Sequence, residues 1–209
     1  MNLLIISFCL FTKVNLPDMC LGLGAYSQKM SSQDWNSDGK IDAEATNAQS
    51  PLLKIKFPVT NFLIFSFEGS NTSFVVKNSI DEDTLLTSSI NKVGMECEMG
   101  IPMGRIFPNL CFGGGFFDFD AHTAYTSHIC KEKMDYWYGV GMEIFTRYFS
   151  FRVFYREYQV EPQMFYTPYS HIFEKDEWLW NLSGEQMGLE IYYNFYIGEG
   201  NKWWDYLSK

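Results

Sequence analysis

Residues 181–197 read NLSGEQMGLEIYYNFYI, and the alternation within them decides the fold. Met187, Leu189, Ile191, Tyr193, Phe195 and Ile197 fall on one face of an extended strand. Gly188, Glu190, Tyr192, Asn194 and Tyr196 fall on the other. A helix would scatter both sets around its circumference. Extended, residues 187–197 reach ~35 Å, enough for a tilted crossing of a bilayer.

The same period of two recurs along the chain. Residues 134–145 set Tyr136, Tyr138, Val140, Met142 and Ile144 against Trp137, Gly139, Gly141 and Glu143. Residues 149–158 set Phe149, Phe151, Val153 and Tyr155 against Arg152, Phe154, Arg156 and Tyr158. Residues 91–100 set Val93, Met95, Cys97 and Met99 against Gly94, Glu96, Glu98 and Gly100. In 109–120 the run Gly113–Gly115 blurs the pattern, and its end fixes a phase with Phe117 and Phe119 opposite Asp118 and Asp120. Weaker strands lie at 19–30, 52–57 and 61–69, which brings the expected total to eight.

Connections between these segments alternate in length. The long ones are 31–51, 70–90, 121–133 and 160–181; the short ones are 58–60, 101–108 and 146–148. Antiparallel barrels that cross an outer membrane have this pattern of short periplasmic turns and longer external loops. The expected architecture is therefore all-β, an eight-stranded antiparallel up-and-down transmembrane barrel over 19–197. Both ends of the barrel are then periplasmic and the four long loops extracellular. Residues 1–18 are expected to be the remnant of an export signal or an N-terminal extension, and 198–209 a periplasmic tail. Met1 to Phe11 is apolar enough for a signal core but lacks a basic flank and a small-residue cleavage site.

Composition agrees with a bilayer. The 19 Phe, 13 Tyr and 6 Trp need somewhere to sit, and membrane interfaces accept Tyr and Trp. Mean hydropathy is only −0.16, too polar for a helical membrane protein. A barrel reconciles the two, because alternate residues face a polar lumen. A net charge of −9 argues against nucleic acid as a partner.

The C-terminal strand resembles those of outer-membrane proteins. Gln186, Gly188, Ile191 and Tyr193 match their insertion signal, polar-x-Gly-x-x-hydrophobic-x-hydrophobic. The opening strand, with LGLGAY at 21–26, is similar to that of the OmpA-like and opacity-type eight-stranded group. The resemblance implies a small barrel inserted by the barrel-assembly machinery, surrounded by outer-membrane lipid and meeting external ligands or host surfaces through its long loops. One departure stands out: GEGNKWWDYLSK (198–209) follows the strand at which such chains usually end.

If the apolar face meets lipid, the lumen receives Lys54, Lys56, Glu68, Glu96, Glu98, Asp118, Asp120, Glu143, Arg152, Arg156 and Glu190. Buried charges cost several kcal/mol per ion unless paired. An eight-stranded barrel is just wide enough for side chains to fill it. The expected interior is a plugged electrostatic core, with a gated or narrow ion path as the functional alternative.

Other chemistry is thinly signalled. His122, His128 and His171 fall in expected loops, and pairing Ser170 with His171 or Asp120 with His122 would give a nucleophile and base. Loop neighbours rarely point at one another, and the H-x-S-N signature of lipid A deacylases is missing, so no enzyme is expected. Asp34, Asn36, Asp38 and Gly39 open like a calcium loop, but the twelfth position is Ala45 rather than Glu. No cofactor or metal site is expected. The five cysteines, Cys9, Cys20, Cys97, Cys111 and Cys130, have no zinc spacing. Simple hairpin register would set Cys97 opposite Cys111, both facing lipid.

Three functions fit: a non-enzymatic barrel serving envelope integrity, surface recognition or adhesion; a narrow porin or carrier of small or apolar molecules; and a soluble lipocalin-like carrier. The alternating loops disfavour the last, as does the start of the chain, where Ala25 and Tyr26 follow Gly24 in place of a G-x-W.

Overall fold

The structure, a computed structural model, describes residues 16–31, 43–45, 48–78, 84–122, 127–160, 163–166, 177–180 and 183–196. Its strands are β1 (Met19–Met30), β2 (Ala43–Ala45), β3 (Ala48–Thr60), β4 (Leu63–Asn78), β5 (Thr84–Gly100) and β6 (Ile106–His122). They continue with β7 (Ser127–Phe145), β8 (Phe149–Val160), β9 (Gln163–Tyr166), β10 (Glu177–Trp180) and β11 (Gly184–Phe195). Eight of them close a ring in the order β1-β3-β4-β5-β6-β7-β8-β11, with β11 returning to β1 and every neighbour antiparallel. Strand β2 adds to the end of β4, and β9 pairs with β10 as a separate two-stranded sheet.

Alternation makes the wall two-faced. Leu23, Val93 and Leu189 are 69, 69 and 64 % exposed, and they belong to a belt of outward apolar side chains on every barrel strand. Along β7 alone Met134, Tyr136, Tyr138, Val140, Met142 and Ile144 all point outward. So large a continuous apolar surface has no stable place in water; it belongs in hydrocarbon. Aromatic side chains Phe62, Tyr148, Phe149 and Tyr193 gather at the short-turn end, where an interface would hold them.

The strands outrun the belt. Residues 48–51, 70–78, 84–90 and 127–133, expected in loops, extend β3, β4, β5 and β7. The turn expected at 58–60 lies at 61–62, and that at 101–108 tightens to 101–105. Strands of 16–19 residues, as in β4 to β7, exceed the 9–11 that a tilted crossing needs, so these four project beyond the bilayer.

Above the belt the meaning of the alternation reverses. Asn71, Asn91 and Asp118 point outward while Phe74, Ile90, Phe117 and Phe119 are buried within. Asp118 and Asp120 are therefore not lumen residues, as expected from sequence, but lie on the outer face beyond the hydrocarbon. Water, and not lipid, faces that part of the wall, so polar side chains turn out and rings turn in.

Candidate functional site

The barrel interior is stacked in three layers. At the short-turn end Ile64, Phe107 and Phe145 form an apolar cluster against which Leu16 packs. The rings of Phe107 and Phe145 meet edge-on with centroids 6.2 Å apart. At the opposite end Phe74 stacks on Phe119, also at 6.2 Å, in a layer with Phe117, Ile90, Val76 and Met30.

Between these lids lies the charge network. Its members are five cations (Lys54, Lys56, Lys92, Arg152 and Arg156) and six carboxylates (Glu68, Glu96, Glu98, Glu143, Glu190 and Asp135), none more than 5 % exposed. Arg156 donates to both oxygens of Glu68 at 2.8 and 3.0 Å, to Glu96 at 3.1 Å and to Gln186 at 2.6 Å. Arg152 reaches Glu190 at 3.0 Å, Glu96 at 3.1 Å and Glu98 at 3.5 Å. Lys54 pairs with Glu96, and Lys56 bridges Glu98 at 2.9 Å and Glu143 at 2.7 Å. Such pairing is what offsets the desolvation of so many charges; bidentate Arg–carboxylate contacts are the stronger kind.

Aromatic and amide groups finish the packing. The Trp137 indole donates to Glu96 at 2.7 Å, and Lys92 sits 4.0 Å from that ring's centroid. Gln186 donates to Gln28 at 2.7 Å, and Gln28 donates to the Tyr158 hydroxyl at 2.5 Å. Ser150 donates to Glu143 at 2.7 Å. Glycines make room for the rings: a Cβ on Gly113 or Gly22 would collide with Trp137 or Tyr192 respectively. Gly113, with Gly94 on the neighbouring strand, is thus the floor for an indole.

Of the sequence-derived lumen set, Lys54, Lys56, Glu68, Glu96, Glu98, Glu143, Arg152, Arg156 and Glu190 come together here; Asp118 and Asp120 do not. Lys92 and Asp135 were missed, though each has inward parity within its strand; Lys92 lies 3.2 Å from Glu68 and 3.8 Å from Asp135. Within the proposed insertion signal Gln186 and Gly188 face inward, and Ile191 and Tyr193 outward.

The cysteine expectation also changes. Cys97 pairs with Phe112, and Cys111 with Glu98, a slip of one residue from a symmetric hairpin. Cys111 is consequently buried inside while Cys97 lies on the outer face, and Cys20, Cys97 and Cys111 are free thiols. His122 and His128 belong to β6 and β7 rather than to a loop. Ser170, His171, Cys9 and the calcium-like stretch 34–42 lie outside the described residues. Among the described residues no group of His, Cys, Asp and Glu is arranged to hold a metal.

A closed antiparallel barrel with an apolar belt and a charge-filled lumen defines a transmembrane β-barrel of the small, eight-stranded class. The fold is that of solved outer-membrane barrels. Neisserial surface protein A superposes with a TM-score of 0.60 at 12% identity, covering 85% of this chain and 97% of that one. OprG of Pseudomonas aeruginosa gives 0.60 at 12% identity over 87% and 97%. Ail, the attachment invasion locus protein of Yersinia pestis, gives 0.52 at 13% over 86% and 99%. Neither a protein-family model nor a curated protein matches the sequence.

Proposed function

We propose that this chain is a non-enzymatic protein of a bacterial outer membrane, a sealed barrel that anchors surface-exposed strands and loops for recognition, adhesion or envelope integrity. The observation that carries this is the filled lumen: Arg152, Arg156, Lys54, Lys56, Glu96 and Glu98 are each at most 1 % exposed, between two apolar lids. A solute path would need to break paired charges in a low-dielectric interior, at several kcal/mol for each ion left alone. The projecting parts of β4, β5 and β6 support the surface role, since they extend past the lipid belt with Asn71, Asn91 and Asp118 outward. In this reading the long connections within 31–51, 70–90, 121–133 and 160–181 are extracellular and the barrel ends periplasmic. Gln186, Gly188, Ile191 and Tyr193 serve as the insertion signal for the barrel-assembly machinery.

Planar-bilayer recording of the refolded protein tests the sealed anchor. Its expected result is a baseline free of unit steps. Steady single-channel steps would favour the narrow porin and overturn the anchor.

A further inference from the structure

The barrel wall splits above the apolar belt. Strand β7 pairs with β8 only as far as Asp135 opposite Val160, whereas its pairing with β6 continues to Ser127 opposite His122. Residues Ser127 to Met134 therefore have a strand on the β6 side and, among the described residues, none on the other. Ser183 shows where β8 turns instead. Its hydroxyl accepts from the N–H of Val160 at 3.0 Å and lies 3.3 Å from the Val160 carbonyl, while its own carbonyl accepts from the N–H of Ser31 at 2.9 Å. The ends of β8, β11 and β1 are thus tied to one another and not to β7. Beyond them β9 is engaged with β10.

The open edge, Ser127 to Met134, spans about 27 Å at the usual rise of an antiparallel strand. It starts at the rim of the belt, where Met134 is 66 % exposed opposite Phe116, and climbs past the level of outward Asp118 into water. An unpaired strand edge offers a row of N–H and C=O groups to any extended chain. The other edge of the same projecting sheet is β4, and there β2 has added antiparallel over Val76 to Asn78. One edge has thus already taken a strand, from the chain's own connection between β1 and β3.

We infer that the open edge of β7 binds an extended, carboxylate-bearing polypeptide by antiparallel strand addition. Direction selects a free chain over a second copy. Strand β7 descends from the long-connection end to the short turn at 146–148, and a second barrel in the same bilayer has its β7 descending too. Two such edges would meet parallel, the less stable pairing per residue. Composition selects the charge. The edge strand carries Lys131 and Lys133 around Glu132. Lysine on an edge resists apolar strands, and a carboxylate opposite a lysine stabilises a cross-strand pair. Main-chain hydrogen bonds then supply affinity and alternate side chains the selection. The inference names a partner for the surface role proposed above and rests on that role.

Fluorescence anisotropy tests it, with the whole protein in phosphatidylcholine nanodiscs and a labelled peptide of alternating Thr and Glu, about as long as the edge. This peptide is expected to bind about tenfold tighter than its counterpart of alternating Thr and Lys. Its fully N-methylated form should not bind, because no N–H is left to pair with the edge. Lys131→Glu with Lys133→Glu should reverse the order of the two charged peptides, while Lys29→Gln on β1 should leave it. Heat-modifiable gel mobility checks that each variant is folded; should the reversal fail, Lys131→Gln with Lys133→Gln should abolish the preference for Glu, and the N-methylated peptide needs no variant at all. No binding by wild type, equal binding of the N-methylated peptide, an unchanged preference in the folded charge variants, or dimers linked through Cys130 that exclude the peptide would overturn the inference. Unit conductance steps would overturn the sealed anchor and leave peptide binding untouched, whereas loss of peptide binding leaves a silent bilayer silent.

Discussion

The Trp137 indole nitrogen donates a 2.7 Å hydrogen bond to Glu96, the carboxylate on which Lys54, Arg152 and Arg156 also converge. The ring lies over Gly113 so closely that no side chain fits there. Gly113→Ala is therefore expected to destabilise the barrel by about 1–3 kcal/mol, the usual cost of overpacking. Gly69→Ala, whose new methyl would meet only the Lys92 carbonyl at 3.9 Å, should change little. Urea unfolding from lipid vesicles compares the two; equal stability of both variants would contradict the flat seating of Trp137.

Arg156 makes four hydrogen bonds, more than any other cation of the described network. Replacing it with Met leaves Glu68 and Glu96 buried with fewer positive neighbours, at a cost of about 3–5 kcal/mol. Glu68→Met in the same chain should recover part of that loss, because the unmatched charge is removed with its partner. A double variant no more stable than the additive expectation would show that the two side chains do not act as a pair.

A buried network is poorly screened. Between about 0.1 and 1 M NaCl the unfolding midpoint should shift only slightly, whereas exposed pairs would weaken across that range. A steep salt dependence of the midpoint would place the network in contact with bulk water.

Lipid contact is tested from outside. Leu189→Arg puts a charge on the exposed face of the belt and should cost about 2–4 kcal/mol if near the bilayer midplane. Asn91→Arg, on the outward polar face above the belt, should cost close to nothing. Folding yield into vesicles, measured by the mobility shift on boiling, separates the two.

The cysteine register predicts chemistry as well. In a chain with Cys9 and Cys130 changed to Ser, a lipophilic thiol reagent should modify Cys97 in the folded barrel and spare Cys20 and Cys111 until unfolding. A Cys97–Cys111 disulfide formed in the folded state would contradict the opposite facing of these residues.

Much of the transmembrane wall was legible in the sequence because lipid and lumen make opposite demands on neighbouring residues. Met187 to Tyr193 and Tyr136 to Ile144 carry that contrast in plain form. It failed in β6 for a physical reason. Gly113, Gly114 and Gly115 bear no side chain to say which face is which, so the phase rests on Phe117 to Asp120. Those residues lie above the bilayer, where water reverses the sign of the pattern. Period two survives the crossing; its polarity does not. The same reversal hid the strand extensions in 70–78 and 84–90, since inward Phe74, Val76 and Ile90 among outward Asn and Ser do not look like a membrane strand. Lys92 and Asp135 are each the second residue of their segments, 91–100 and 134–145, where the alternation has only begun and says little about facing.

The reversal of polarity along the wall also works as a ruler. A bilayer thicker than the belt would have to submerge Asn71, Asn91 and Asp118, and a thinner one would leave Leu23, Val93 and Leu189 in water. Mismatch of either kind costs fractions of a kcal/mol for each Å. The row at which side chains exchange faces thus fixes how deeply the barrel sits and which membrane thickness it tolerates, a form of addressing written into the strands themselves.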